Sequence, residues 1–127
     1  DALQENKKIT REEQIREFGY LTAELEKSVK EVPLDYKSEL LLGQLYNKWS
    51  LIDSSKTTLA DNVLRRAIAL SPQNQQGYWQ LAQTKIYEND IDSALALAQT
   101  AYDLYPANAH SKAILDEIRA LKQKTQP

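Results

Sequence analysis

An all-α chain built from repeated helix–turn–helix units is the architecture this sequence predicts, and three observations carry that reading. The 127 residues include only 3 Gly and 4 Pro, too few for a turn-rich β fold. Apolar residues recur at three- and four-residue spacing along most of the chain, the period of an amphipathic helix. Residues 58–74 also overlay residues 92–108 at a constant offset of 34, pairing Ala60 with Ala94, Leu64 with Ala98, Ala67 with Ala101, Leu70 with Leu104, Pro72 with Pro106 and Asn74 with Asn108. Upstream, Leu42-Gly43 matches Leu81-Ala82 at an offset of 39. The first unit therefore carries five extra residues, which fall within the Ser/Thr/Asp/Lys-rich stretch Ser50–Thr58.

In chain order, Thr10 and Glu13 form a T-x-x-E capping box that opens a helix over 10–32. Its apolar stripe is Ile15, Phe18, Leu21, Leu25, Val29 and Val32, and Pro33 ends it. A first unit spans 36–74, with its insertion near 50–58, and a second spans 75–108. Leu59, Ala60, Val63, Leu64, Ala67, Ile68 and Leu70 form one helical face, and Ala94, Leu97, Ala98, Ala101, Tyr102 and Leu104 repeat it. Pro72 and Pro106 stop these helices, and Asn74 and Asn108 are good N-caps for the next ones. Glu88-Asn89-Asp90 is a tight break, with Asn89 suited to a left-handed backbone. A last helix over 109–124 presents Ala113, Ile114, Leu115, Ile118 and Leu121, and would close the apolar end of the array as a partial third unit. Polar residues 1–8 and 123–127 are expected to fray. The expectation is one domain, 1–127, of about six helices with a helical cap at each end.

Composition narrows the function. Sixteen basic against eighteen acidic residues give a net charge of −2, no electrostatic reason to bind nucleic acid or an anionic membrane. Residues 1–35 carry nine acids and six bases, the remainder nine acids and ten bases. No Cys is present, so disulfides and thiolate metal sites are excluded, and the single His leaves no His-pair metal motif. No apolar run approaches the ~20 residues needed to span a bilayer, and no signal peptide is visible. The chain contains no Met, even at position 1, and is most simply a piece excised from a longer protein.

Numbered from its own start, the unit beginning at Gln75 has Tyr78 at position 4, Leu81 at 7, Ala82 at 8, Ala94 at 20, Ala98 at 24, Ala101 at 27 and Pro106 at 32. The unit beginning at Tyr36 supplies Leu42, Gly43, Tyr46, Ala60, Leu64, Ala67 and Pro72. This pattern resembles the tetratricopeptide repeat, an α-solenoid of helix pairs whose small residues let the helices approach closely. Two positions depart from it: Lys85 stands at position 11, usually aromatic, and Glu39 stands at position 4, usually large. The strings PLDYKSELLLGQLYNKW and LRRAIALSPQNQQGYWQLAQTKIY are also similar to the soluble tetratricopeptide tail of bacterial membrane proteins of the O-antigen ligase and polymerase type. That likeness implies catalytic residues in an absent multi-spanning region and a tail outside the membrane, with the extracytoplasmic side favoured. It further implies about a dozen apolar helices encoded before residue 1.

Carboxylate pairs such as Asp90/Asp92, Asp116/Glu117 and Glu12/Glu13 suit helix ends and solvated faces, Arg65-Arg66 reads as a solvated face, and no phosphate-binding Gly-rich loop exists. The chain is read as non-catalytic, with no cofactor. The resemblance implies a concave groove lined by positions 2, 5, 9, 12 and 13 of each first helix. Carried over, these are Lys37, Leu40, Gln44, Asn47 and Lys48, then Gln76, Trp79, Gln83, Ile86 and Tyr87, then His110, Ala113 and Glu117. Repeat arrays that grip a peptide's terminal carboxylate use Lys and Asn at positions 5 and 9 of the first unit, where Leu40 and Gln44 stand, so that clamp is missing. Trp79 has two readings, an exposed groove aromatic beside Tyr87 or a packing residue against the N-terminal helix or Tyr46, and Trp49 reads as packing. The favoured function is a protein–protein interaction module for an extended peptide or partner helix. A self-associating structural tail, and a glycan-binding role for Trp79 and Tyr87 with their Gln neighbours, are the alternatives.

Overall fold

The computed structural model describes residues 9–32 and 35–126. Six α-helices and one short 3-10 turn, with no strand, make up the described residues: α1 (Arg11–Glu31), α2 (Tyr36–Ser50), the 3-10 turn (Ser54–Lys56), α3 (Thr57–Leu70), α4 (Gln75–Tyr87), α5 (Ile91–Leu104) and α6 (Ala109–Thr125). The expected stop at Pro33 and the expected frayed segment 1–8 lie outside the described residues, as does residue 127. At the other end, residues 123–125 continue α6 instead of fraying.

Local chemistry sets the helix boundaries. Thr10 accepts from the Glu13 amide at 3.1 Å while the Glu13 carboxylate accepts from the Thr10 amide at 3.3 Å, a reciprocal cap. Asp35, Asn74, Asp90 and Asn108 each cap the following helix by accepting a backbone N–H two or three residues on. α3 and α5 end at Leu70 and Leu104, two residues ahead of Pro72 and Pro106. Asn89 takes φ of 62° between α4 and α5, the left-handed backbone that Asn tolerates and β-branched residues do not.

Packing runs mainly between sequence neighbours. α2 lies on α3 and α4 on α5, as the tightest pairs; α1 packs on α2, α3 on α4 and α5 on α6; and α2 and α4 also touch along their length. Small residues make the close pairs possible: Ala60, Ala67, Ala82, Ala94, Ala98 and Ala101 are all 0% exposed. Gly43 is tighter still, because a Cβ there would run into the Leu64 side chain. Leu42, Tyr46, Leu64 and Leu81 anchor one core cluster, and Ala82, Ala98, Leu115 and Ile118 anchor the other.

The α1 stripe is only partly covered. Leu25 and Val29 join the first core cluster, and Phe18 stacks on Trp49 with ring centroids 5.9 Å apart. Ile15, Leu21 and Val32, expected on the buried face, are 39%, 36% and 55% exposed. The five-residue insertion folds as a turn and the 3-10 helix, and it is clamped. The Arg11 guanidinium donates to the Ile52 carbonyl at 2.8 Å, and Lys56 Nζ sits 4.1 Å from the centre of the Trp49 ring. Trp49 is therefore a packing residue between Phe18 and Tyr46.

Ion pairs account for both departures from the repeat pattern. Glu39 is 2% exposed and accepts from Arg66 Nε of α3 at 3.2 Å. Lys85 of α4 reaches Asp61 of α3 at 2.5 Å and Glu88 at 3.3 Å, and Arg65 binds the other Asp61 oxygen. Arg65 and Arg66 stay largely exposed, as the solvated-face reading expects, and each also pairs with an acid. Burial alone would raise the Asp61 carboxyl, but the hydrogen bonds from Lys85 and Arg65 outweigh it and hold it below 3.8. The same bond from the other side, against a smaller opposing effect of burial, lifts Lys85 above 10.5.

Two predictions follow from this packing. Gly43→Ala gains ~1 kcal/mol of helix propensity but overpacks Leu64 by about 1–3 kcal/mol, so thermal unfolding should show a net loss. Gly19→Ala, which meets nothing within 4 Å, should instead raise stability by about 0.5–1 kcal/mol in the same assay. For pH, the depressed Asp61 contributes stability above its ordinary 3.8 that is lost as pH falls through its folded value, and the raised Lys85 contributes stability below 10.5 that is lost as pH climbs past its own. Denaturant titrations should show that an Asp61→Asn, Lys85→Met double variant has lost stability change at both edges relative to the parent chain.

Candidate functional site

The first helices α2, α4 and α6 lie side by side on one face, and two polar connections set their spacing. Between α2 and α4, buried Asn47 donates to the Gln80 carbonyl at 3.0 Å and to Gln80 Oε1 at 3.1 Å, while the Thr84 hydroxyl donates to Asn47 Oδ1 at 2.6 Å. Asn47 and Thr84 are 3% and 0% exposed, so each polar group is satisfied inside the contact. Between α4 and α6, the Trp79 indole N–H donates to Ser111 Oγ at 2.7 Å, and His110 meets the Trp79 ring edge-on with centroids 4.5 Å apart. Gln75 adds a backbone tie at the same end, donating to the Ala101 carbonyl at 2.6 Å and accepting from Asn108 Nδ2 at 2.9 Å.

Because α4 and α6 touch only lightly, a cleft of about 420 Å³ opens between them. Trp79, Ala82, Gln83 and Ile86 form one wall; Ile114, Ile118, Ala120 and Leu121 form the other, with Glu117 and Lys124 as its charged members. A second, polar cleft of about 290 Å³ lies between α2 and α4 and is lined by Gln44, Asn47, Lys48, Gln80, Gln83 and Tyr87. Gln83 belongs to both. The two clefts are neighbours on one face, one apolar and one rich in amides with a cation at its edge.

Of the positions expected to line a groove, Gln44, Lys48, Trp79, Gln83, Ile86 and Tyr87 lie at these clefts, as does Glu117. Leu40 does not reach a cleft: it is 8% exposed and belongs to the first core cluster. Asn47 borders the polar cleft but is buried and spends its amide on α4. Lys37 and Gln76 are exposed and line neither cleft, and Ala113 is exposed on α6 outside the apolar one. Trp79 lines the apolar cleft, as the groove reading expects, but it is half-buried, packs on α6 through Ser111 and His110, and is separated from Tyr87 by Gln83. His110 is an exposed residue whose ring braces Trp79. The sequence reading did not single out Ile114, Ile118 and Leu121 as cleft residues. Their helical spacing had marked them as an apolar face, and that signal does not say whether such a face is covered or left as a wall.

Of the paired carboxylates, Asp90, Asp92, Asp116 and Glu13 have structural partners. Asp90 caps α5, Asp92 meets Lys122 at 2.5 Å, and Asp116 binds Lys112 at 2.9 Å. Among the described residues no group of three or more His, Asp or Glu side chains could hold a metal ion, and no helix is long and apolar enough to cross a membrane. No protein-family model matches the chain, and no curated protein matches it.

The bond from Trp79 to Ser111 yields a prediction. Ser111 is 1% exposed, so Ser111→Ala strands the indole N–H against an apolar methyl at a cost of about 1–3 kcal/mol. Chemical denaturation should show that loss, and the Trp79 indole proton resonance should move while that of Trp49 stays in place.

Proposed function

We propose that this chain is a tetratricopeptide-type helical array acting as a non-catalytic interaction module, and that α4 with its two flanking clefts is where a partner segment sits. The pairing of each helix with its sequence neighbours, the fully buried alanines at the repeat positions and the alignment of α2, α4 and α6 support the repeat reading. The observation that carries the binding reading is the adjacency of the apolar cleft at Trp79 and Ile86 to the polar cleft at Gln44, Lys48 and Tyr87, joined through Gln83. An apolar wall with the face of an anchored Trp suits one or two large apolar side chains. The amides and Lys48 alongside suit the backbone carbonyls and a carboxylate of the same segment. The ligand is thus an extended peptide or a helix turn with an apolar anchor followed by an acidic residue. Since the apolar wall exceeds what a sugar ring needs, the peptide reading stands ahead of the glycan one. The string likeness described above supports, as a further proposal, a parent protein of the membrane O-antigen ligase or polymerase type that carries this array outside the bilayer.

A displayed random-peptide library panned on the immobilised chain tests this. Enrichment of sequences with an apolar residue followed by an acid is expected, with binding falling at least tenfold in Trp79→Ala and less in Tyr87→Ala, both checked for intact helix content by circular dichroism. Absence of enrichment, or peptides that bind Trp79→Ala equally well, would sink the proposal.

A further inference from the structure

We propose that the N-terminal edge of the array, formed by α1 and α2 and sharing Lys48 with the polar cleft, is a self-association face that takes a second copy of this chain in a two-fold arrangement. The argument starts from repeat-equivalent positions. The sixth residue of each first helix is Leu41, Gln80 and Ile114, and the tenth is Leu45, Thr84 and Ile118. In α4 and α6 these residues face the preceding first helix: Gln80 and Thr84 bond to Asn47 of α2, and Ile114 and Ile118 line the cleft against α4. In α2 no first helix lies on that side among the described residues. Leu41 is 47% exposed and Leu45 half-buried, and both are apolar where a solvated edge calls for polar side chains.

α1 extends the same strip. Ser28 and Ser38 stand 3.5 Å apart and Phe18 stacks on Trp49, so α1 and α2 run antiparallel. Seven residues back from Ser28 and seven forward from Ser38 bring Leu21 beside Leu45. Leu21 is 36% exposed.

Charge identifies the occupant. Beyond Leu21, the outer edge of α1 carries Glu17, Glu24 and Glu31 at seven-residue spacing, and beyond Leu41 the outer edge of α2 carries Lys37 and Lys48. A two-fold axis parallel to the helices turns one copy's acidic edge onto the other's basic edge. It also keeps the level along the helices, so Glu17 meets the second copy's Lys48 and Glu31 meets its Lys37. The strip complements itself, the requirement for an isologous contact. Its ~22 Å length and the width of two helices give roughly 450 Å² per copy, the small end of specific interfaces, so the dimer is a reversible one.

Sedimentation of the chain over a hundredfold concentration range tests this. The expected result is a shift from the 14.5 kDa monomer toward twice that mass. Leu41→Glu should remain monomeric throughout, Glu17→Lys should weaken association at least tenfold, and adding Lys48→Glu to Glu17→Lys should restore it. A constant monomer mass for the unaltered chain would overturn the proposal, and so would a dimer indifferent to Leu41→Glu. A dimer lost in Trp79→Ala but kept in Leu41→Glu would move the contact to the groove and overturn it equally.

Discussion

Close approach between paired helices is the constraint on which the rest of this structure depends. Gly43 against Leu64, and the fully buried alanines of α3, α4 and α5, bring backbones together at distances that larger side chains would forbid. Apolar residues left over by the tight pairs are covered by contacts between pairs, α3 on α4 above all. The caps serve this arrangement by stopping each helix at the length its partner can cover. Gly77 applies the same rule between pairs, since a Cβ there would meet Ile68 Cγ1 at 2.9 Å.

Polar groups inside the contacts act as register marks. Apolar helix faces slide against one another at little cost, whereas Glu39 with Arg66, Asp61 with Lys85, and Asn47 with Gln80 and Thr84 are satisfied in one alignment only. Each links helices that the small residues alone would leave free to shift. α4 is fixed this way against α2 and α3, and the polar cleft between α2 and α4 inherits its shape from that alignment.

Much of the fold was legible in the sequence because its determinants are local or periodic. The capping box at Thr10, the caps at Asn74 and Asn108, the left-handed Asn89 and the two prolines each act within a few residues, and the 34-residue offset marks two helices of like sequence, α3 and α5. The candidate site was legible only in outline. Position rules borrowed from a repeat family name which residues face a groove, but they do not report how far α4 and α6 splay. That splay decided that Ile114 and Leu121 form a wall, and that Trp79 turns to Ser111 instead of standing free. Leu40 departs from the groove expectation because it is buried in the first core cluster, whose packing between helices no pattern within α2 encodes. Glu39 and Lys85 looked like defects in the repeat until their partners on α3, 27 and 24 residues away in sequence, were visible.

The seam between α3 and α4 has a significance beyond packing. Contacts between the half α1–α3 and the half α4–α6 run mainly across that seam and the adjoining line between α2 and α4, so influence of one half on the other passes chiefly there. The Asp61–Lys85 pair and the Asn47–Gln80–Thr84 group are the polar part of that connection, beside the apolar contacts of Leu81 and Leu97. Each half happens to own one tryptophan, Trp49 on the insertion side and Trp79 at the cleft. The chain thus carries a built-in reporter on either side of the joint between its halves.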